Sequence, residues 1–371
     1  MATVDSRTRN HRSPDGRAMV RGLSATATRY GVELDARTPY DFLISLALGG
    51  GEMDELPAAD QRWLREARAG LPADVRAGAF TGDDAHEGLA SEVAGVVVAH
   101  PEIQDAAALV AAVESMAPRE VARALLQRTR DESGAALERD LESALAGDSA
   151  AMAAVEEQMR TLVEERGLAT WRAVLRDPMG TAERLHLALR AWLEPFQSVE
   201  PRVREVLLRD VAARQSTLGL PPAELIERTT GGIRFLADPS IRRVVLSPSY
   251  FARPYNWVIA GQGWRLFCYP VADEALGEHG PWDPPSSTVL LYRALGDQQR
   301  LRILRLLADR DMYLTEIAQQ MELSKPTVKH HLAQLRAAGL VTVTDAGNLT
   351  YYTLRRDRLD EASAELQRYL S

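Results

Sequence analysis

A short stretch near the end of the chain carries basic and polar side chains spaced to share one helical face. This set consists of Lys325, Thr327, Lys329, His330 and, one turn later, Gln334. Apolar residues Val328, Leu332 and Leu335 recur between them at three- and four-residue intervals, which predicts a buried face on the opposite side. Ammonium, hydroxyl and imidazole groups can bind phosphates and base edges. We therefore predict that this helix contacts DNA.

Two short helices around a turn are needed to present that face. An apolar pattern with helical spacing also occupies Leu314–Met321. Leu323 and Ser324 interrupt it, and the Ser324 hydroxyl can cap the second helix by accepting an amide hydrogen bond from its first turn. Pro326 fits just inside this cap, where an amide has no partner within the helix. The pattern predicts a helix-turn-helix, and a surface hairpin with a solvated charged face is the alternative.

The segments around this pair decide between the two interpretations. Two β-rich runs, Gly339–Thr344 and Leu349–Leu354, are joined by a tight turn directly after the second helix. A β-hairpin directly after a helix-turn-helix is called a wing. Two further helices precede the pair, and a last helix is expected over Asp357–Leu370. The sequence therefore predicts a winged helix-turn-helix over residues 286–371.

Four segments give this module a resemblance to a known family. They are Tyr292–Leu304, Leu314–Ala318, Ser324–Leu335 and Ala338–Val341. Together they resemble the ArsR-type winged-helix repressors. The resemblance implies a homodimer on double-stranded DNA with a two-fold-symmetric operator, and dimerisation through the first and last helices of the module. The implied DNA contacts are Ser324, Lys325, Thr327, Lys329, His330 and Gln334, together with Arg355 and Arg356 after the wing.

The module departs from that family in two respects. The helix before the turn lacks cysteine and the last helix lacks histidine, so metal sensing and a bound metal are not expected. The wing tip carries Asp345 and Asn348 where Arg or Lys would bind phosphate, and Arg355 and Arg356 are expected to compensate. His331, which matches a histidine usual in the family, is expected to pack and hydrogen-bond locally.

Composition and charge restrict the partners of the chain. Apolar residues make up 46% and charged residues 26% of the 371 residues, which is typical of soluble globular proteins, and no run is apolar enough for a membrane span. Residues 286–371 carry a net charge of +2, whereas residues 1–285 carry −10. DNA contact is therefore expected only in the C-terminal module. A single cysteine, Cys268, fits a reducing cytoplasm and is expected to be a small buried residue.

The whole chain is predicted to be mainly α with small β elements. Residues 1–17 are expected to form a flexible tail, and residues 18–270 a large helical domain with a small antiparallel sheet. Residues 271–285, which are rich in proline, are the predicted linker to the winged helix-turn-helix of residues 286–371.

The large upstream domain contains none of the common catalytic or nucleotide-binding motifs. Three segments, Thr38–Leu46, Val244–Phe251 and Cys268–Pro270, resemble a domain of unknown function found ahead of ArsR-type modules. The nearest approach to a metal cluster consists of Asp83, Asp84, His86 and Glu87. A polar loop between two helices commonly has the same composition as this run of residues. We therefore predict no metal or other cofactor.

Aromatic residues are concentrated near the end of this domain. Seven lie between Tyr250 and Tyr269, although aromatic residues make up only 6% of the chain. We favour the core of the small sheet as their role. The alternative is a pocket for an apolar small-molecule effector. Its candidate residues are Trp63, Phe251, Tyr255, Trp257, Trp264 and Tyr269.

These observations favour a ligand-responsive transcriptional repressor. A second hypothesis is an enzyme that uses the winged helix only for dimerisation, as some methyltransferases do, but the glycine motif of such enzymes is missing. A third is an architectural protein that binds DNA and recruits a partner without an effector.

Overall fold

The computed structural model describes residues 30–78, 80–81, 88–126, 140–160, 165–236, 239–277, 282–346 and 349–371. Asp83, Asp84, His86 and Glu87 lie outside these ranges. Within them, no helix combines the length and the apolar character that a membrane span requires.

Helices dominate the region upstream of the winged module, as predicted. Three of them begin at an aspartate, because Asp105, Asp148 and Asp177 each accept an amide hydrogen bond from the first turn. The labelled helices are α1 Pro39–Ala47, α2 Gly50–Met53, α3 Ala58–Ala69, α4 Ala73–Arg76, α5 Ala94–Ala99, α6 Ala106–Ser115, α7 Pro118–Leu125, α8 Ser149–Met159, α9 Glu165–Arg176, α10 Pro178–Gln197, α11 Glu200–Arg214, α12 Pro222–Thr229 and α13 Asp273–Leu276. Short 3-10 helices cover Leu89–Val93 and Gln215–Thr217.

The strands fall into two sheets. They are β1 Gly31–Leu34, β2 Ile233–Phe235, β3 Arg243–Ser249, β4 Trp257–Gly261, β5 Trp264–Pro270, β6 Met312–Tyr313, β7 Val341–Ala346 and β8 Leu349–Leu354. The first sheet has the order β1-β3-β5-β4 and the second the order β2-β7-β8-β6.

The first sheet is mixed, so the prediction of an antiparallel sheet was wrong for two of its three strand pairs. Only β4 and β5 form the expected hairpin, whereas β1–β3 and β3–β5 are parallel. The reason lies in residues 244–246, whose side chains are buried on both faces of the sheet. Val245 packs into the main core, whereas Val244 and Leu246 pack into a second cluster on the other face. Continuous apolar runs of this kind are typical of parallel strands.

Strand β2 does not pair with β3, the next strand along the chain. It pairs in parallel with β7, so that Ile233 faces Val343 and Phe235 faces Asp345 in register. The amide of Val343 also donates to the Gly232 carbonyl at 3.0 Å. A strand from the upstream region therefore extends the sheet of the wing.

The winged module follows the predicted order of elements. Its helices are α14 Ser286–Leu295, α15 Gln298–Asp309, α16 Leu314–Met321, α17 Lys325–Ala337 and α18 Arg356–Leu370, with the β7–β8 wing between the last two. Ile317, Met321, Val328, Leu332 and Leu335 are buried in one small core. The apolar faces of α16 and α17 therefore pack together as their spacing predicted.

A buried carboxylate joins the two ends of the upstream domain. Asp41 in α1 accepts hydrogen bonds from the Ser249 hydroxyl at 2.6 Å and from the amides of Tyr250 and Phe251 at 3.0 and 2.9 Å. The side chain is fully buried, and this burial raises the pKa of Asp41 to about 6. One acceptor thereby fixes the chain after β3 against a helix more than 200 residues upstream.

Replacing this acceptor is expected to destabilise the upstream domain. In the Asp41→Ala variant, three donors lose their partner, and we expect the free energy of unfolding at neutral pH to fall by about 3 kcal/mol. Because the pKa of Asp41 is raised in the folded state, its protonation stabilises the fold below about pH 4, and this contribution is lost as pH rises through about 6. Urea unfolding followed by tryptophan fluorescence measures both effects.

The difference in unfolding free energy between wild type and Asp41→Ala should therefore narrow between pH 4.5 and pH 7. A difference that stays constant or widens over this interval would contradict the raised pKa.

Candidate nucleic-acid interface

Helix α17 presents the predicted polar face to solvent. Lys325, Thr327, Lys329 and His330 are all exposed, whereas Val328 on the opposite side is fully buried. Pro326 lies in the first turn, as expected. The structure therefore brings these four side chains together at the N-terminal half of one helix.

The two lysines of this face have a property that sequence reasoning missed. Lys325 and Lys329 are the only lysines among the 371 residues, and every other cation of the 44 is an arginine. Many arginines form ion pairs, such as Arg253 with Asp60 and Arg37 with Asp35 at 2.7 and 2.6 Å. Neither lysine has an ion-pair partner in the part of the chain that the structure describes. A residue count alone would have revealed this segregation.

The turn before α17 is fixed by two local features. Ser324 caps the helix, since its hydroxyl oxygen accepts from the Thr327 amide at 3.3 Å and lies 2.7 Å from the Thr327 hydroxyl. Glu322 closes α16 in the left-handed region with φ of 56°, where non-glycine residues are uncommon. Ser324 and Thr327 are therefore coupled through their hydroxyls at the tip of the exposed face.

His331 packs locally, as predicted, but its Nδ1 atom has no hydrogen-bond partner among the described residues, contrary to the expected local hydrogen bond. It is half-buried, and its Nδ1 atom lies 3.9 Å from Asp297 Oδ1, which is too long for a hydrogen bond. Burial lowers the pKa of His331 because it disfavours the charged imidazolium, and Asp297 opposes this effect only in part. The imidazole therefore acts as a packing group next to the first turn of α15.

The structure places Gln334 away from the exposed face, in contrast to its predicted DNA contact. Its amide nitrogen donates to Glu55 Oε1 at 3.1 Å, and its amide oxygen accepts from Arg300. Glu55 also forms an ion pair with Arg293 at 3.0 Å and is itself largely buried. Gln334 thus connects α17 to the upstream domain.

The cations after the wing are also engaged in local contacts. Arg355 forms an ion pair with Asp357 at 3.0 Å, and Arg356 donates to the Ala308 carbonyl at 2.7 Å. Asn348 and the side chain of Asp345 lie outside the described residues. A cation that sequence reasoning missed is Arg234 in β2, which is exposed, lies in register with Thr344 of the wing and pairs with Glu227 at 2.8 Å.

The aromatic residues of the predicted effector pocket do not surround one cavity. Trp63 stacks on Phe251 with ring centroids 5.4 Å apart inside the main core, which also contains Trp257 and borders Trp264. Tyr269 belongs to the cluster on the other face of the sheet. Tyr255 lines a cavity of about 50 Å³ beside Glu55 and Gln334. Most of these rings therefore serve the core, which is the role that we favoured.

The module has the arrangement of winged helix-turn-helix regulators, and comparison with known proteins agrees. The sequence model of the family described as "Bacterial regulatory protein, arsR family" matches residues 297–343. Relatives include the HTH-type transcriptional regulator KmtR of Mycobacterium tuberculosis, 37% identical over 79 residues, and the transcriptional repressor SdpR of Bacillus subtilis, 33% identical over 72 residues. Another is the transcriptional activator HlyU of Vibrio cholerae, 35% identical over 69 residues.

These matches show the family of the chain. They cover 61% of KmtR, 64% of HlyU and 80% of SdpR, but only 19 to 21% of this chain. The chain thus spans less than two thirds of the length of KmtR and HlyU. Through its C-terminal module, the chain belongs to the arsR family of bacterial regulatory proteins.

The Ser324 cap provides a local test of the geometry of α17. Ser324→Ala removes the acceptor of the Thr327 amide and is expected to destabilise the helix by about 1 kcal/mol, whereas Ser324→Gly costs only a few tenths. Hydrogen exchange of the Thr327 amide should accelerate in the alanine variant by roughly fivefold. Equal exchange rates in wild type and in Ser324→Ala would show that the hydroxyl does not cap this helix.

Proposed function

We propose that this protein is a transcriptional repressor that binds a two-fold-symmetric operator as a homodimer and is controlled by a small molecule through its upstream domain. The observation that carries the proposal is the exposed, unpaired lysine pair on α17, beside Thr327 and His330. A helix with such a face can enter a major groove with its N-terminal half toward the bases. Repression is proposed by analogy with SdpR, whereas the name of HlyU describes an activator.

Each side chain of this face has a separate role in the proposal. Lys325 and Lys329 would bind phosphates, which strengthens binding to every sequence, because released counterions provide the free energy. Thr327 and His330 would contact base edges and determine sequence preference. Arg234 would provide the phosphate contact at the wing that the wing tip lacks. Ser324, Arg355 and Arg356 would make further contacts near the DNA backbone.

Exposed apolar side chains support the proposed dimer. Six of them lie on α14, on α18 or in the predicted linker of residues 271–285, and all are at least 36% exposed. They are Trp282, Val289, Tyr292, Leu359, Tyr369 and Leu370. The first and last helices of the module already contact each other, since the Tyr292 hydroxyl donates to the Ala362 carbonyl at 3.2 Å. Burial of this face against a second copy would remove apolar surface from water.

Control by the upstream domain is supported by its contacts with the DNA-reading elements. Glu55 holds Gln334 in α17, and β2 pairs with the wing. A ligand that changes the position of either contact would change the spacing of the two recognition helices in a dimer. Binding to successive major grooves depends on that spacing.

The lysine pair gives the sharpest test of DNA binding. The Lys325→Ala/Lys329→Ala variant should lose affinity for all duplexes. Because a homodimer loses four lysines, the slope of log affinity against log salt should become shallower by about 4. Fluorescence anisotropy with a duplex selected from a random pool measures both quantities. The Lys325→Arg/Lys329→Arg variant keeps both charges and should retain the slope.

The accessibility of the same two lysines can be measured in the wild-type protein by chemical modification. Acetylation with an N-hydroxysuccinimide ester can modify only these two side chains and the terminal amine, and bound DNA should protect both lysines. Unchanged affinity in the double alanine variant, or no protection by DNA, would contradict the proposed interface.

The dimer is tested at Val289, which is 40% exposed on α14. Val289→Asp places a charge in the proposed apolar interface and should shift the protein from dimer to monomer in light scattering at micromolar concentration, because an unpaired charge is costly to bury. Leu208→Asp is the matched control, since Leu208 is 55% exposed on α11 of the upstream domain. A wild-type monomer, or equal effects of the two variants, would refute this interface.

A further inference from the structure

A cavity of about 260 Å³ lies between the upstream domain and the winged module. Upstream residues on one side include Arg214, Arg228 and Asn256, and module residues on the other include Arg336 and Arg358. Gly231, two residues before β2, and Gly339, two residues before β7, also line the cavity, so it lies at the beginning of the β2–β7 pair. A molecule bound there would contact both parts of the chain.

The wall of this cavity is basic although the whole chain carries a net charge of −8. Of the described residues, five arginines and no carboxylate line it, and the arginines are Arg214, Arg228, Arg336, Arg355 and Arg358. Three have carboxylate partners nearby, because Arg214 pairs with Asp210, Arg355 with Asp357 and Arg358 with Glu365. The guanidinium groups of Arg228 and Arg336 have no ion-pair or hydrogen-bond partner among the described residues.

Arg336 is the more unusual of these two. It is half-buried in the last turn of α17, and its dry surroundings lower its pKa because they disfavour the charged form. An arginine nevertheless stays charged in proteins, so a half-buried guanidinium without a counter-charge is costly. An anion in the cavity would relieve this cost.

Polar groups around the arginines add directed contacts. Ser287 and Arg358 lie in the first turns of α14 and α18, at the positive ends of these helices. Asn256 donates to the Thr230 carbonyl at 3.0 Å, but its buried Oδ1 atom lacks a hydrogen-bond donor. The cavity therefore combines an excess of two positive charges with the positive ends of two helices.

We propose that this cavity binds a small phosphate-bearing molecule, and that this anion is the effector of the regulator. The charge of a phosphate monoester at pH 7 matches the two unneutralised arginines. The cavity is large enough for more than a bare phosphate. The assignment of the effector rests on the proposed function, whereas the anion site itself does not.

The position of the cavity explains how such a ligand would act. Arg336 is eleven residues from Lys325 in the same helix, about 16 Å along its axis, so the cavity lies away from the DNA-facing half. An anion bridging Arg228 and Arg336 would hold the end of α12 against the end of α17. The orientation of the recognition helix would then depend on whether the cavity is occupied.

Isothermal titration of the full chain with inorganic pyrophosphate, at constant ionic strength and without DNA, tests the site. We expect a dissociation constant below about 1 mM for wild type. Arg228→Gln and Arg336→Met should each weaken binding by roughly tenfold or more, as expected for a lost charge-assisted hydrogen bond. Arg228 is exposed, so its variant should fold normally. Arg62→Gln, which removes an exposed arginine in α3 outside the cavity, is the matched control and should bind as wild type does.

Three outcomes would overturn the inference. They are the absence of binding to wild type, unchanged binding in both cavity variants, and an equal loss in Arg62→Gln, which would indicate a general charge effect. A fourth outcome would also overturn the inference. If pyrophosphate competed with duplex DNA, and both cavity variants lost DNA affinity equally, the cavity would be a binding site for the phosphates of the DNA backbone.

The effector role has its own measurement. Saturating pyrophosphate should change the affinity for the selected duplex at least fivefold in wild type and not in Arg228→Gln. Pyrophosphate binding without DNA binding would refute the proposed function and leave the anion site standing. DNA binding that pyrophosphate does not alter would refute the effector role alone.

Discussion

The geometry of the molecule depends on the parallel pairing of β2 with β7. Only three residue pairs take part, but the main-chain hydrogen bonds of a sheet fix direction and register together. Phe235 is buried in the cluster that contains Phe267, and Val343 of the wing packs against the same cluster. The outer edge of the wing is therefore filled by the upstream region, and a strand edge that could pair with other chains is covered.

A second set of contacts joins the module to the upstream region. One strand pair alone would leave the module free to pivot about the wing, but Glu55 contacts α14 through Arg293 and α17 through Gln334. These two attachment regions involve different elements of the module, so a rotation of α17 must break one of them.

Local sequence patterns predicted the local structure well and the long-range pairing poorly. Ser324, Pro326 and the spacing of Val328, Leu332 and Leu335 were sufficient for α17, because caps and helical periodicity act within a few residues. Two of the strand pairs join segments that are far apart in the sequence. Gly31 of β1 pairs with Arg243 of β3, and β2 pairs with β7, about 110 residues downstream. Neither short-range alternation nor turn residues contain that information.

Gln334 illustrates the same limit for the site. Its helical position predicted an exposed side chain, and nothing in α17 indicates that Glu55, 279 residues upstream, reaches it. The two lysines, in contrast, can be recognised from the sequence alone. Two lysines among 44 cations, both on one helical face, are visible in the sequence itself and identify the exposed half of α17 without any knowledge of the fold.

Whether the interdomain cavity can regulate DNA binding depends on the coupling free energy between anion binding and DNA binding. A ligand shifts an equilibrium only by its difference in affinity for the two states. A hundredfold change in DNA affinity requires about 2.7 kcal/mol of coupling. One charge-assisted hydrogen bond contributes about 1.5–3 kcal/mol, and a state in which the domains separate would lose the contacts of Arg228 or of Arg336. The loss of a single arginine from the bound anion would therefore be sufficient for a change in DNA affinity of about this size.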